Sequence, residues 1–365
     1  MKRFLILAVI AVIAYSTREA WINPAKNAVA SSVDSIRSWS DSTDLSFSSF
    51  DDFLDSLFGD FIRNDANEWT EVEPPSLTEP DEQLFSIHSI ELGDSREFVE
   101  EELGEEVRSS ENEYNVDWYT YHKDYHHFVM VAYDDEHVVK GLYTNQDLIA
   151  SPTEITHGSE QQHVRNQLGE PASAIQKGLT SYQMNDDQEH DLFQLDNSYV
   201  TIFYDEHQDT TVTAIQIIDQ DLEQNKNSLY AEPSQELKEG FEYQLFDLTN
   251  AARVQHELPI LEWDDAVRET ARKHSTDMAD HNYFNHTNLE GQSPFDRLQE
   301  DNIRFTTAGE NLAFGQMSSI FAHEGLMNSL GHRESILHED FRNLGVGVDF
   351  NDDAQPFYTE KFFTS

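Results

Sequence analysis

The stretch Leu248-Thr249-Asn250-Ala251-Ala252-Arg253, followed by Leu261-Glu262-Trp263-Asp264, decides the fold of the last third of this 365-residue chain. Apolar residues recur at helical spacing up to Leu258-Pro259, where the proline predicts the end of the first helix. Asp264 can cap a second helix, because its side chain can accept hydrogen bonds from the free amides of the first turn. His274 falls on the inner face of that helix and is predicted to be a buried core residue.

The residues that follow predict a layered arrangement. Ser293-Pro294-Phe295-Asp296 has the capping serine, first-turn proline and returning acid of a short third helix. A further helix is predicted around 319–329, and 345–350 and 357–363 are predicted strands joined by a turn. Helices combined with strands at the end of the chain indicate an α/β domain.

Six elements in this region resemble, in the same order, the bacterial branch of the CAP superfamily of cysteine-rich secretory, antigen-five and plant pathogenesis-related proteins. The elements are Leu248-Thr249-Asn250-x-x-Arg253, Leu261-x-Trp263-Asp264, Phe284-Asn285-His286, Gly309-Glu310-Asn311, Gly331-His332-Arg333 and Tyr358-Thr359-Glu360-Lys361-Phe362. The resemblance implies that residues 239–365 form a CAP (SCP-like) domain with an α-β-α sandwich fold.

The resemblance also implies a groove lined by two histidines and two acids. Carried over residue by residue, it places His286, Glu310 and His332 in the groove. The second acid departs from the family pattern: relatives have a glutamate three positions after a helical tryptophan, where this chain has Ser329 and Leu326. Glu324 and Glu334 are the available substitutes, and Glu334 is the better candidate because it follows the Gly-His-Arg run.

Two kinds of chemistry are compatible with this set. The imidazoles of His286 and His332 could hold zinc or another divalent cation, and Glu310 or Glu334 could accept a proton from bound water, as in a hydrolase. Alternatively, Glu310 ties segments together and the histidines hydrogen-bond across the groove without turnover. The second interpretation is favoured because the spacing carries no metal-ligand signature, and whether the protein is an enzyme stays open.

The middle of the chain contains an internal repeat. Ile90-Glu91-Leu92-Gly93 aligns with Ile155-Thr156-His157-Gly158, and Leu103-Gly104 aligns with Leu168-Gly169 at the same offset. Each copy predicts a helix followed by strands, so residues 84–222 are predicted to be a duplicated α+β domain. This region resembles the domain that precedes the CAP domain in some Firmicute proteins.

The N-terminus predicts export. A basic start, an apolar run and a small-x-small site identify residues 1–16 as a signal peptide or an N-terminal membrane anchor. Acidic low-complexity sequence at 17–83 and a second linker at 223–238 separate the domains. The protein is therefore expected to be secreted or anchored on the outer face of the cytoplasmic membrane.

Composition restricts the partners. A formal charge of −47 excludes sequence-independent nucleic-acid binding, and the absence of cysteine excludes disulfides and thiolate chemistry. The sequence favours an extracellular binding or interaction protein whose ligand belongs to the envelope or is a peptide or a lipid. A metal-assisted hydrolase and a structural component of an envelope or spore are the alternatives.

Overall fold

The computed structural model describes residues 72–177, 180–183 and 189–365. The predicted signal or anchor at 1–16, and the predicted linker up to residue 71, lie outside the described residues. Among the residues that are described, none of the helices combines the length and apolar character needed to cross a membrane.

The first half of the described chain repeats one unit, a short helix followed by antiparallel strands. Helix α1 spans Arg96–Leu103 and helix α2 spans Gln161–Leu168. Each helix ends at a glycine, Gly104 or Gly169, and both glycines have a φ of 86°. This left-handed region favours glycine, which explains why Leu-Gly recurs in the sequence. The predicted duplication is confirmed.

The strands of the two copies join into one sheet. Seven strands follow the order β2-β3-β4-β5-β11-β10-β9, and β5 pairs with β11 where the copies meet. Two small sheets, β1-β6 and β7-β8, complete this half. The strands are β1 Ser86–Ile87, β2 Arg108–Glu111, β3 Asp117–Lys123, β4 His126–Tyr133, β5 Val139–Thr144, β6 Ile149–Ala150, β7 Ala174–Lys177, β8 Thr180–Gln183, β9 His190–Leu195, β10 Ser198–Asp205 and β11 Thr211–Asp219.

The second half is a sandwich of helices around a four-stranded sheet with the order β12-β14-β15-β13. Its strands are β12 Glu262–Trp263, β13 Thr307–Phe314, β14 Asn343–Phe350 and β15 Pro356–Thr364. Its helices are α4 Gln235–Gln255, α5 Asp265–His281, α6 Pro294–Glu300, α7 Ser319–Asn328 and α8 Leu330–Ile336, while the short α3, Gln220–Asn225, precedes them. The α-β-α sandwich expected from the sequence is confirmed.

Capping residues set the helix starts as the sequence predicts. The Asp264 side chain accepts from the amide of Val267, and Ser293 forms a capping box with Asp296. Helix α4 begins at Gln235 because Ser234 caps it, so the last residues of the predicted 223–238 linker are helical. Burial of His274 is also confirmed, because only 1% of it is exposed.

The two faces of the four-stranded sheet pack against different helices. Phe362 faces the helices α4 and α7 and contributes to the large core that includes Leu248 and Ile320. Its neighbour Phe363 faces the other way and packs with Val267 and Leu298 of α5 and α6. This alternation follows from the pleat of a strand, which directs successive side chains to opposite faces.

The two halves share one hydrophobic core. One face of the seven-stranded sheet contributes Trp118, Phe128 and Met130 to the same buried cluster as Phe241 and Leu245 of α4. Buried polar contacts cross the same junction: the Tyr125 hydroxyl donates to Asp247 over 2.9 Å. The described residues accordingly form one compact unit.

Candidate functional site

Three elements bring the predicted groove residues together. Glu310 lies on β13, which is the edge strand of its sheet. His286 lies on the loop between α5 and α6, and His332 lies on α8. The helices and strands predicted from the sequence did not include β13 or α8. The structure alone therefore shows that Glu310 lies on a strand and His332 on a helix.

Glu310 is held by two buried cations. Lys361 lies directly opposite on β15, and its Nζ is 2.7 Å from Glu310 Oε2. Arg297 of α6 reaches both carboxylate oxygens, with its Nη2 at 3.0 and 2.7 Å. The side chains of Glu310 and Lys361 are 1% and 0% exposed. This is a buried charge network that joins α6, β13 and β15.

The network keeps Glu310 ionised. Burial by itself would raise the pKa of Glu310, but the hydrogen bond with His286 and the charges of Lys361 and Arg297 lower it to about 2. An ionised carboxylate only accepts hydrogen bonds, so His286 Nδ1 is the donor in the 3.0 Å contact with Glu310 Oε1. His286 Nε2 is then the ring nitrogen directed away from Glu310.

His332 lies on α8, close enough to His286 for the two rings to interact electrostatically. Burial lowers the pKa of His332, and the interaction with His286 lowers it further. Asn311 connects this helix to the sheet, because its Nδ2 donates to the carbonyl oxygen of His332 at 3.1 Å and to Glu360 Oε2 at 3.0 Å. The position of His332 therefore depends on the residue that follows Glu310.

The two candidates for the second acid lie in different surroundings. Glu334 is exposed on α8, two residues from His332, which places the two side chains on different sides of the helix. Glu324 is buried, and its Oε1 accepts from the Tyr143 hydroxyl of β5 at 2.6 Å. Burial raises the pKa of Glu324 to about 7. Glu324 therefore belongs to the contact between the two halves, and Glu334 stays a prediction.

Sequence reasoning missed Arg297 and Lys361. Lys361 and Glu360 are two adjacent charged residues in β15, which is buried along most of its length. Charged residues are rarely buried unless they are paired, so this pattern is a signal for buried ion pairs or hydrogen bonds. Arg297 gave no comparable signal, since an arginine in the first turns of a short helix is ordinary on a surface.

The geometry also bears on zinc. Within the described ranges, no three histidine, aspartate or glutamate side chains gather in a way that could hold a metal ion. A catalytic zinc site has three protein ligands and an open position for water, and His286 and His332 supply two. The residues therefore do not fit a hydrolytic zinc centre.

Two family models match the chain. The model described as "CAP-associated N-terminal" covers residues 92–229. The model of the cysteine-rich secretory protein family covers residues 246–362, which include His286, Glu310 and His332.

Two relatives from Bacillus subtilis strain 168 match this chain, one over most of its length and the other over less than a third of it. The uncharacterized membrane protein YlbC is 28% identical over 289 residues, which are 74% of this chain and 82% of that protein. The uncharacterized protein YkwD is 41% identical over 107 residues, which are 29% of this chain and 42% of that protein.

Solved structures share the whole described architecture. An extracellular protein containing an SCP domain from Bacillus anthracis superposes with a TM-score of 0.66 at 25% identity, covering 80% of this chain and 100% of that one. A cysteine-rich secretory protein from Staphylococcus aureus superposes with a TM-score of 0.61 at 15% identity, covering 79% of this chain and 95% of that one.

Proposed function

We propose that this chain, which belongs to the CAP superfamily and carries a CAP-associated domain before its CAP domain, is an extracellular binding protein. Its ligand occupies the groove at His286, Glu310 and His332. The observation that carries this proposal is the state of Glu310, whose carboxylate is buried between Arg297 and Lys361. That arrangement supports a rigid binding surface.

A hydrolase would need a different carboxylate. A general base works best when its pKa lies near the working pH, whereas the pKa of Glu310 is about 2. Both Glu310 oxygens already accept charged hydrogen bonds, so the group has little capacity to take a proton from water. Its contribution is to hold β13, α6 and His286 in fixed relative positions.

The two histidines supply the recognition. His286 is half exposed, and its Nε2 is directed by the hydrogen bond that Nδ1 makes with Glu310. Neutral imidazoles can accept a hydrogen bond from a ligand hydroxyl, amide or amine. Such groups occur in cell-wall polymers and peptides, which an exported protein meets in the envelope.

Binding by the full chain to three probes tests this function: purified peptidoglycan sacculi, a synthetic peptide library and phosphatidylcholine vesicles. We expect at least one probe to bind, and the double variant His286→Ala/His332→Ala to bind it at least about tenfold more weakly, which corresponds to ~1.4 kcal/mol. His281→Ala is the matched control, because this exposed histidine lies outside the groove and should leave binding unchanged. Equal binding by the double variant would refute the groove as the binding site.

The same geometry favours a second candidate, weak binding of a divalent cation without catalysis. A carboxylate that accepts from Nδ1 of a histidine and leaves Nε2 free is the usual outer partner of a metal-ligating histidine. Zinc titration of the full chain by calorimetry is expected to show weak saturable binding that His332→Ala removes. Binding that survives this substitution would place the ion elsewhere on the acidic surface.

A further inference from the structure

β13, which carries Glu310 of the proposed groove, is an edge strand of its sheet. β13 pairs with β15 on one side, and in the part of the chain that the structure describes no second strand lies beside it. The Gly315 amide donates to the carbonyl oxygen of Pro356 over 2.9 Å, which continues the pairing between β13 and β15 by one residue. Every second residue of β13, counted back from Gly315, is therefore hydrogen-bonded to β15. Because backbone groups of an antiparallel strand alternate between its two sides, Ala308, Glu310, Leu312 and Phe314 direct their N–H and C=O groups away from β15. Leu312 is buried together with Asn311 and Ala313, so the accessible part of this side of the strand is at Ala308 and Glu310.

An unpaired strand edge selects a particular kind of partner. Its alternating donors and acceptors, repeated along the strand, match the backbone of another extended chain and no other common biological surface. β13 has eight residues, and Glu310 lies near its centre, in hydrogen-bond contact with His286. A strand added here would pass through the proposed groove.

Two exposed aromatic side chains lie together at the end of β13. Seven large apolar residues are exposed in the described chain, and two of them are Phe314 on β13 and Phe284 on the loop that carries His286. The rings of Phe284 and Phe314 lie 6.0 Å apart. This pair provides a place for an apolar side chain of a bound segment.

The charges around the edge indicate the sign of the partner. Arg297 and Lys361 are already paired with Glu310, so they do not attract an incoming anion. The exposed charged residues of the flanking segments are the acids Glu290, Asp296, Glu300 and Glu334 and the base Arg304. A net negative rim on a chain of charge −47 favours a basic partner.

We infer that the ligand of the groove is an extended basic peptide segment that adds to β13 as a fifth strand of the CAP sheet. This inference rests on the proposed binding function. Main-chain hydrogen bonds to Ala308 and Glu310 supply the affinity, and Phe284 and Phe314 contact an apolar side chain of the segment. His286 and His332 select the polar groups at its centre.

A backbone-modified probe tests strand addition directly. The probe is a fluorescein-labelled, capped heptapeptide with the order Lys-Phe-Thr-Lys-Thr-Leu-Lys, titrated with the full chain and followed by anisotropy. Two analogues carry N-methyl groups on alternate amides, one on each edge of the extended peptide. We expect saturable binding of the parent peptide and a loss of at least about tenfold for only one analogue, because only one peptide edge faces β13.

Protein variants and amide exchange provide the independent readouts. Phe314→Ser is expected to weaken binding severalfold, whereas the matched control Phe98→Ser, at the same exposure of 37% but on α1, is expected to change nothing. In NMR-detected exchange, the bound peptide should slow the amides of Ala308 and Glu310 and leave the already paired amides of Gly309 and Asn311 unchanged.

The outcomes separate this inference from the binding function. Equal affinity for both methylated analogues, or protection of amides away from β13, would overturn strand addition. Absence of peptide binding, together with binding of sacculi or vesicles that depends on His286 and His332, would also overturn it while leaving the groove as a binding site. Failure of every probe to bind would refute the proposed function itself.

Discussion

Replacing Glu310 with glutamine is expected to lower the free energy of unfolding by about 3–5 kcal/mol, the usual cost of removing one partner from a buried ion pair. The substitution keeps the shape of the side chain and removes its charge. Arg297 and Lys361 would then remain buried without a counter-charge, with side chains 7% and 0% exposed. His286 would also exchange a charged acceptor for the weaker neutral oxygen of the amide.

Urea denaturation at pH 7 measures this effect, with Glu334→Gln as the control. Glu334 is exposed on α8, and its substitution should change the unfolding free energy by less than about 0.5 kcal/mol. A Glu310→Gln protein that keeps its full stability would contradict the structural role. If such a protein also lost a hydrolytic activity of the wild type, the catalytic alternative would gain.

The destabilisation caused by Glu310→Gln is expected to depend on pH. The pKa of Glu310 falls from an ordinary value of 4.5 to about 2 in the folded protein. Stabilisation by this carboxylate is therefore present above the unfolded pKa and is lost as the pH falls from 4.5 towards 2. The difference in stability between wild type and Glu310→Gln should shrink over that interval.

Substituting Gly240 with alanine is expected to destabilise the junction between the two halves by about 3 kcal/mol or more. Gly240 lies on α4 where the helix crosses β2, and a Cβ atom there would lie 2.0 Å from the carbonyl oxygen of Glu111. The atoms that would meet the new Cβ belong to the backbone of Glu111, so no side-chain rotation can relieve the clash. The helix and the sheet would have to separate. The Gln244 side chain would then lose its 2.8 Å hydrogen bond to the same carbonyl.

Thermal unfolding compared with Gly325→Ala checks this prediction. Gly325 is also helical, but a Cβ atom at that position would meet no atom within 4 Å. Alanine is a better helix former than glycine by roughly 1 kcal/mol, so Gly325→Ala should be neutral or stabilising. Equal effects of the two substitutions would show that the contact between α4 and β2 does not carry the junction.

Much of the fold was predictable because it depends on local chemistry. Capping by Asp264 and Ser293 involves residues three positions apart, and the Leu-Gly pairs mark helix ends that need a left-handed residue. The resemblance of six ordered elements further predicted His286, Glu310 and His332 as groove residues. All of this information lies within short stretches of the chain or in their order.

The partners of Glu310, the environment of Glu324 and the edge position of β13 required the tertiary structure. Lys361 meets Glu310 across 51 positions of sequence because β13 and β15 pair in one register, and a single-residue slip would turn Lys361 to the other face of the sheet. Glu324 meets Tyr143 because both halves bury apolar faces in one core. The sequence by itself determined the family and most elements of the CAP half, though not β13 or α8, and it predicted three groove residues. Long-range pairing decided which charges are neutralised and which strand lies at the edge of the sheet, because it joins residues that are far apart in the chain.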